Sequence, residues 1–204
     1  GGGSGCGWGV SDVCVWCRSV AASTVFFLMI RLPPRSTLVP YTTLFRSRPM
    51  RGASQLGVPV FVNLEDQHAN ADLLSKLLPV ATVCQVSADK PEKGDGLESI
   101  ADTLLEAGAG VVLVTGGSRG CLAADMGQKV WVSAPQVHVV DGNGAGSAFS
   151  AAYIYGSLRG WDLERCARFA TAQASLKCGV PGYTVATIAE GERLAATLSV
   201  ETGP

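Results

Sequence analysis

From Val139 to Gly156 the sequence reads VVDGNGAGSAFSAAYIYG, in which three glycines at alternate positions separate an apolar stretch from a helical pattern. Small residues in Asp141-Gly-Asn-Gly-Ala-Gly-Ser147 let the backbone pass close to a ligand, and the free N–H groups of Gly144 to Ser147 open the helix that follows. Helix N-termini hold anions, because unpaired donors and the helix dipole act together there. The chemistry on offer is the binding of a phosphate or a similar anion. A Walker-type loop is excluded, since the Gly-Lys-Ser/Thr ending is absent. A Rossmann dinucleotide turn fits poorly, because the spacing is GxGxG and the acids about twenty residues on, Asp162 and Glu164, fall at a helix start. On the turn alone, a tight turn without a ligand also stays open.

Other residues that could do chemistry have plainer readings. His68 and His138 are the only histidines, and neither has a partner at metal-ligand spacing. Cys84, Cys121, Cys166 and Cys178 read as small buried apolar groups. Phe149 and Tyr153, four apart on one helix, read as a core pair. CVWC at Cys14 to Cys17 has redox or zinc spacing, but no second CxxC, no histidine pair and no βαβ pattern accompanies it.

The elements around the turn alternate. Gly57 to Asn63 is a β-rich run, His68 to Leu78 has apolar residues at helical spacing, and Val80 to Val86 is a second apolar run. Leu97, Ile100, Ala101, Leu104 and Leu105 make one helical face that stops at AGAG, and Val111 to Thr115 suits a buried parallel strand. Lys129 to Ser133 and Val137 to Val140 are expected as two further strands, antiparallel or at an edge around Pro135. Helices are expected over Ala148 to Leu158, from an Asp162 N-cap to a stop at Gly179, and from a capping box at Thr187-Ile-Ala-Glu190. The pattern predicts an α/β domain, a sheet of parallel type with helices on both faces.

Composition narrows the partners. The 16 Lys+Arg nearly cancel the 17 Asp+Glu, and no basic cluster of the kind that binds nucleic acid occurs. Seven cysteines, an odd number in mostly apolar or helical surroundings, point to a reduced, cytoplasmic chain. The apolar block from Val20 to Ile30 is too short to span a bilayer and lacks a following cleavage site, so no membrane partner is expected.

The first 47 residues differ from the rest. Met29 to Ser47, MIRLPPRSTLVPYTTLFRS, is similar to the conceptual translation of a short-read sequencing adapter, MIRRPPRSTLFPYTTLFRS, differing only at Leu32 and Val39. Either difference needs one base change. Residues 1–47 are accordingly read as an artefact, disordered or poorly packed, and the natural chain as beginning near Arg48.

From Arg48 to Gly182 the chain resembles the phosphofructokinase B, or ribokinase-like, sugar kinase family, whose hallmark is D-T-x-G-A-G-D followed by a small or polar residue and an aromatic one. VVDGNGAGSAF matches at Asp141, Gly144, Ala145, Gly146, Ala148 and Phe149. GVPVFVN looks like a central strand of the family's sheet, VVLVTGGSRGCL like its V-x-V-T-x-G-x-x-G segment, and LRGWDLERCARFATAQASLKCGVPG like the helical run beside the adenine. Lys177 to Gly182, KCG-x-x-G, is similar to the ketohexokinase branch. The resemblance implies phosphoryl transfer from ATP, with Mg2+, to a sugar-like hydroxyl, with a homodimer as a possible assembly. It implies that the backbone of Gly144, Ala145 and Gly146 forms the anion hole, that Thr115, Gly116, Gly120 and Asn143 border the nucleotide, and that Asp141 orders the loop and nearby ions. The last Asp of the hallmark is the family's general base, and here that position is Ser147.

Ser147 cannot accept a proton as a carboxylate does. The family's N-x-x-E, which helps to hold magnesium through water, aligns with Ser87-Ala-Asp-Lys90, where Asp89 is the available acid. The family's N-terminal half, with most of its sugar contacts and its small lid sheet, has no counterpart here. The expectation is the C-terminal half of a sugar kinase, truncated and impaired, or a non-catalytic nucleotide- or sugar-binding relative.

Overall fold

The computed structural model describes residues 13–20, 23–30, 50–88, 96–182 and 184–203, the first two stretches as backbone alone. β1 (Val13–Val20) and β2 (Ser23–Ile30) pair antiparallel, and β2 runs parallel beside β3 (Val60–Asn63). The rest of residues 1–47 lies outside the described residues, and so do the side chains of Cys14 and Cys17.

A short helix, α1, covers residues 50–55 ahead of β3. After β3 come α2 (Ala71–Leu77), β4 (Val83–Ser87), α3 (Leu97–Glu106) and β5 (Val111–Thr115). β3, β4 and β5 are parallel. β6 (Cys121–Ala124), β7 (Lys129–Val132) and β8 (Val200–Gly203) continue the sheet antiparallel, in spatial order β3-β4-β5-β6-β7-β8. The sheet is therefore mixed, parallel at its centre and antiparallel beyond β5.

Strand alternation sorts its residues into two cores. Val60, Val62, Cys84, Val86, Val112, Val114 and Leu122 pack with Leu73, Leu74 and Leu77 of α2 and with Ile100, Ala101 and Leu104 of α3. Phe61, Val83, Leu113, Cys121, Val130 and Val132 face the opposite way, onto α4 (Ala145–Leu158), α5 (Leu163–Cys178) and the end of α6 (Ile188–Ala195). Helices cover both faces, as expected. Phe149 and Tyr153 are buried core residues, with Phe61 and Tyr153 rings 6.3 Å apart. Cys84, Cys121 and Cys166 are free and buried, and desolvation pushes the Cys84 thiol up to about 12 and that of Cys166 to about 11. Thiols held protonated in this way are poor nucleophiles.

Several elements end where the sequence predicts. The Asp162 side chain accepts from Arg165 N at 2.7 Å, and Thr187 and Glu190 form both halves of the capping box. Others differ. Residues 137–140 are not a strand: Val140 N and Asp141 N both donate to Cys178 O, at 2.8 and 3.1 Å, so the end of α5 takes the bonds a ladder would have used. β6 and β8 were not expected; the first follows a single 3-10 turn at Gly117–Arg119, and the second is a short, mostly exposed VETG. α4 starts at Ala145, three residues before the expected Ala148, because Gly144 serves as its N-cap.

Candidate functional site

The parallel strands end together, with Asn63 paired to Gln85 and Ser87 to Thr115, so their carboxyl ends make one edge of the sheet. In open α/β sheets that edge is where ligands bind. Gln85 and Ser87 lie on the α4 face of β4, about 7 Å apart by strand rise. Each holds one part of the expected site.

Gln85 is completely buried, and its Oε1 accepts from Ser150 Oγ at 2.7 Å. The same hydroxyl lies 2.9 Å from Gly146 O, and Gln85 Nε2 lies 3.5 Å from that oxygen. The core of the sheet is thus linked by polar contacts to the first turn of α4. Ser87 Oγ lies 3.3 Å from Thr115 Oγ1, which also donates to Val86 O at 3.2 Å. Thr115 leads into Gly116, whose N–H bonds Gly120 O at 2.8 Å, and Arg119 Nη2 donates to Ala88 O at 2.6 Å. The structure therefore brings Thr115, Gly116 and Gly120 to the same edge as Gly144, Ala145, Gly146 and Ser147.

The turn has distinct glycines. Gly144 sits at φ 82°, in the left-handed region that only glycine adopts without penalty, and this kink starts α4. Gly142 and Gly146 have no steric need of their own, since an added Cβ would meet nothing within 4 Å. Ala145 N donates to Gly142 O at 3.3 Å, and the open space beside Gly146 at the start of α4 has room for a phosphate group. Ser147 is half-buried, and its hydroxyl makes no hydrogen bond among the described residues.

Asp141 is a loop organiser. Its Oδ1 accepts from Asn143 N at 2.9 Å and its Oδ2 from Gly182 N at 3.0 Å. Foremost the Asn143 N–H, then the Gly182 N–H and the Lys177 charge, hold the Asp141 carboxyl below the usual carboxylate range. These contacts use one lone pair on each Asp141 oxygen and leave the others free. Position 147 offers a hydroxyl, Asp89 and Lys90 lie outside the described residues, and no three His, Cys, Asp or Glu side chains converge among the described residues. Mg2+ ordinarily takes one or two carboxylates beside the substrate phosphates, and Asp141 is the carboxylate that the described residues place at this turn.

Residues 42–189 match the model of the pfkB family carbohydrate kinases. The chain belongs to that family. The match includes residues 42–47, within the adapter-like block. An uncharacterized sugar kinase from Archaeoglobus fulgidus is 40% identical over 78 residues, which cover 38% of this chain and 31% of that one. Phosphofructokinase-2 from Escherichia coli, solved with substrates and products, superposes with a TM-score of 0.67 at 18% identity over 83% of this chain and 56% of that one. Ribokinase from Arabidopsis thaliana, solved with ribose and ATP, gives 0.64 at 23% identity over 75% and 52%. The fold of this pfkB-family chain is thus ribokinase-like. It spans about a third of the curated relative and somewhat over half of each solved structure. Among the described residues no helix is long and apolar enough to cross a membrane.

Gln85 and Ser150 had not been expected at the site. The available signal was a glutamine inside the apolar run Val80 to Val86, where an amide must find a partner. The two residues do not contribute equally. Ser150→Ala strands Gln85 Oε1 in the core and is expected to destabilise by about 1–3 kcal/mol, whereas Gln85→Leu removes the amide itself, leaves the Ser150 hydroxyl its partner Gly146 O, and costs less. Urea unfolding of the two variants measures the difference, and equal losses would contradict this assignment of the buried link.

Proposed function

We propose that residues 48–204 are the nucleotide-side part of an ATP-dependent carbohydrate kinase. In this reading the amides of Gly144, Ala145 and Gly146 hold the transferring phosphoryl group, and Thr115, Gly116, Gly120 and Asn143 border the nucleotide. ATP supplies the phosphoryl group when bound; the chain's own contribution is to position it and stabilise its charge. A sugar or sugar-like hydroxyl is the acceptor. The observation that carries the reading is the open helix-start turn, with room at Gly142 and Gly146, at the carboxyl edge of the parallel strands. Ser147 in the place of the family's base supports impaired turnover. It also favours a second reading, a non-catalytic relative that binds nucleotide or sugar.

The test uses the intact protein, whose upstream sequence a long read of the source DNA across Arg48 supplies. ATP binding by titration calorimetry is expected for the unsubstituted protein. In Gly146→Ala the methyl enters the open space, so the fold is kept while ATP affinity falls by roughly tenfold or more, the loss of one good phosphate contact. No ATP binding by the unsubstituted protein would sink the kinase reading. Turnover at the level of relatives that carry the motif Asp would reject the non-catalytic one.

A further inference from the structure

Lys177, in the last turn of α5, is the largest side chain among the fully buried ones, at 2% exposure. A buried ammonium is expensive unless it is paired and hydrogen-bonded. Its Nζ donates to Asp141 O at 3.1 Å and to Val180 O at 3.4 Å, and it stands 4.0 Å from Asp141 Oδ2. Those partners come from the two sides of one junction. Asp141 opens the glycine turn, whereas Val180 follows the end of α5. The junction is closed by Val140 N and Asp141 N on Cys178 O and by Gly182 N on Asp141 Oδ2. The ammonium therefore sits where two carbonyls and a carboxylate converge, in a place that also receives the negative end of the α5 dipole.

We propose that Lys177 is a positioning residue, an internal cation that clamps the Asp141 loop to the end of α5 and so sets the shape of the anion turn. The effect reaches the turn through Asp141, whose other carboxylate oxygen holds Asn143 N, one residue before the Gly144 kink. Without the cation, the carbonyls of Asp141 and Val180 and the Asp141 carboxylate would face one another uncompensated. The loop would then open, and the amides of Gly144 to Gly146 would lose their common aim. This role deepens the kinase reading and rests on it for its consequence in ATP binding, but the clamp itself can be measured without a ligand.

The experiment compares the intact protein with its Lys177→Met variant. Amide exchange in the ligand-free state is expected to quicken in residues 139–146 and 179–182 and to stay unchanged in β4. ATP affinity is expected to fall by roughly tenfold or more, on the scale of one lost charge-assisted hydrogen bond, while adenosine, which has no phosphate, binds as before. Exchange like that of the unsubstituted protein across residues 139–146, or equal losses for ATP and adenosine, overturns the proposal. If the unsubstituted protein binds no ATP, the kinase reading fails and the exchange comparison alone decides the clamp. A measurement without any variant guards against misfolding: limited acetylation should label the partly exposed Lys76 and spare Lys177, and equal labelling overturns the proposal.

Discussion

Ser147→Asp is expected to raise phosphoryl transfer by the intact protein by roughly 10²- to 10⁴-fold, the usual worth of a positioned general base. Position 147 lies at a helix start. It is the third residue of α4, half-buried, with no hydrogen bond to its hydroxyl among the described residues. The positive end of a helix also favours the ionised form, which is the form that accepts a proton. A new negative charge near the phosphates opposes ATP binding, so the gain should appear in kcat while ATP affinity weakens. Ser147→Asn has nearly the same shape and no basic oxygen, and its turnover should stay at the level of the serine protein. Initial rates with ATP and a panel of sugars test this. If Asp and Asn variants turn over equally, position 147 is not the site of the missing base.

Gly120→Ala should have the largest effect on stability. The residue stands at φ 106° and ψ −142°, a conformation that residues with a Cβ rarely adopt. A Cβ there would lie 2.0 Å from Val132 O and 2.7 Å from Ala134 N. Both neighbours are backbone, so no side chain can swing aside, and relief requires moving β7 against β6. A loss of about 3–5 kcal/mol is expected, a large share of the roughly 5–15 kcal/mol by which domains are stable. Urea denaturation of the intact protein measures it. A change below about 1 kcal/mol, the size of an ordinary surface substitution, would mean that the Gly120 turn is not built as described.

Gly120 also marks how far reading the chain alone could go. Its place in the nucleotide-side segment followed from the resemblance, but its steric necessity depends on Val132, a residue of a different strand. The helices were legible because local rules write them: Asp162 caps α5, and Thr187 with Glu190 boxes the start of α6. The parallel strands were legible because unbroken apolar runs such as Val111 to Thr115 suit burial on both faces. Residues 137–140 misled for the same reason that β8 was missed. Three of those four residues are valine, with good strand character, yet the Val140 N–H bonds Cys178 O at the end of α5, whereas VETG pairs with β7 because an edge strand needs no apolar pattern.

The amino-acid sequence by itself determined the alternation of strands and helices, the glycine turn with its serine at position 147, and the likeness to a family of sugar kinases. These depend on periodicity, capping chemistry and motif spacing, which are local along the chain. Only the tertiary structure decided that Gln85 and Ser150 tie the sheet to the turn, and that Lys177 is buried among the carbonyls of Asp141 and Val180. Gln85 and Ser150 are 65 residues apart, and Asp141 and Lys177 are 36 apart. Such partners meet only after the helices have packed on the sheet. The free energy of a buried amide or ammonium is then set by what surrounds it, which no local pattern records.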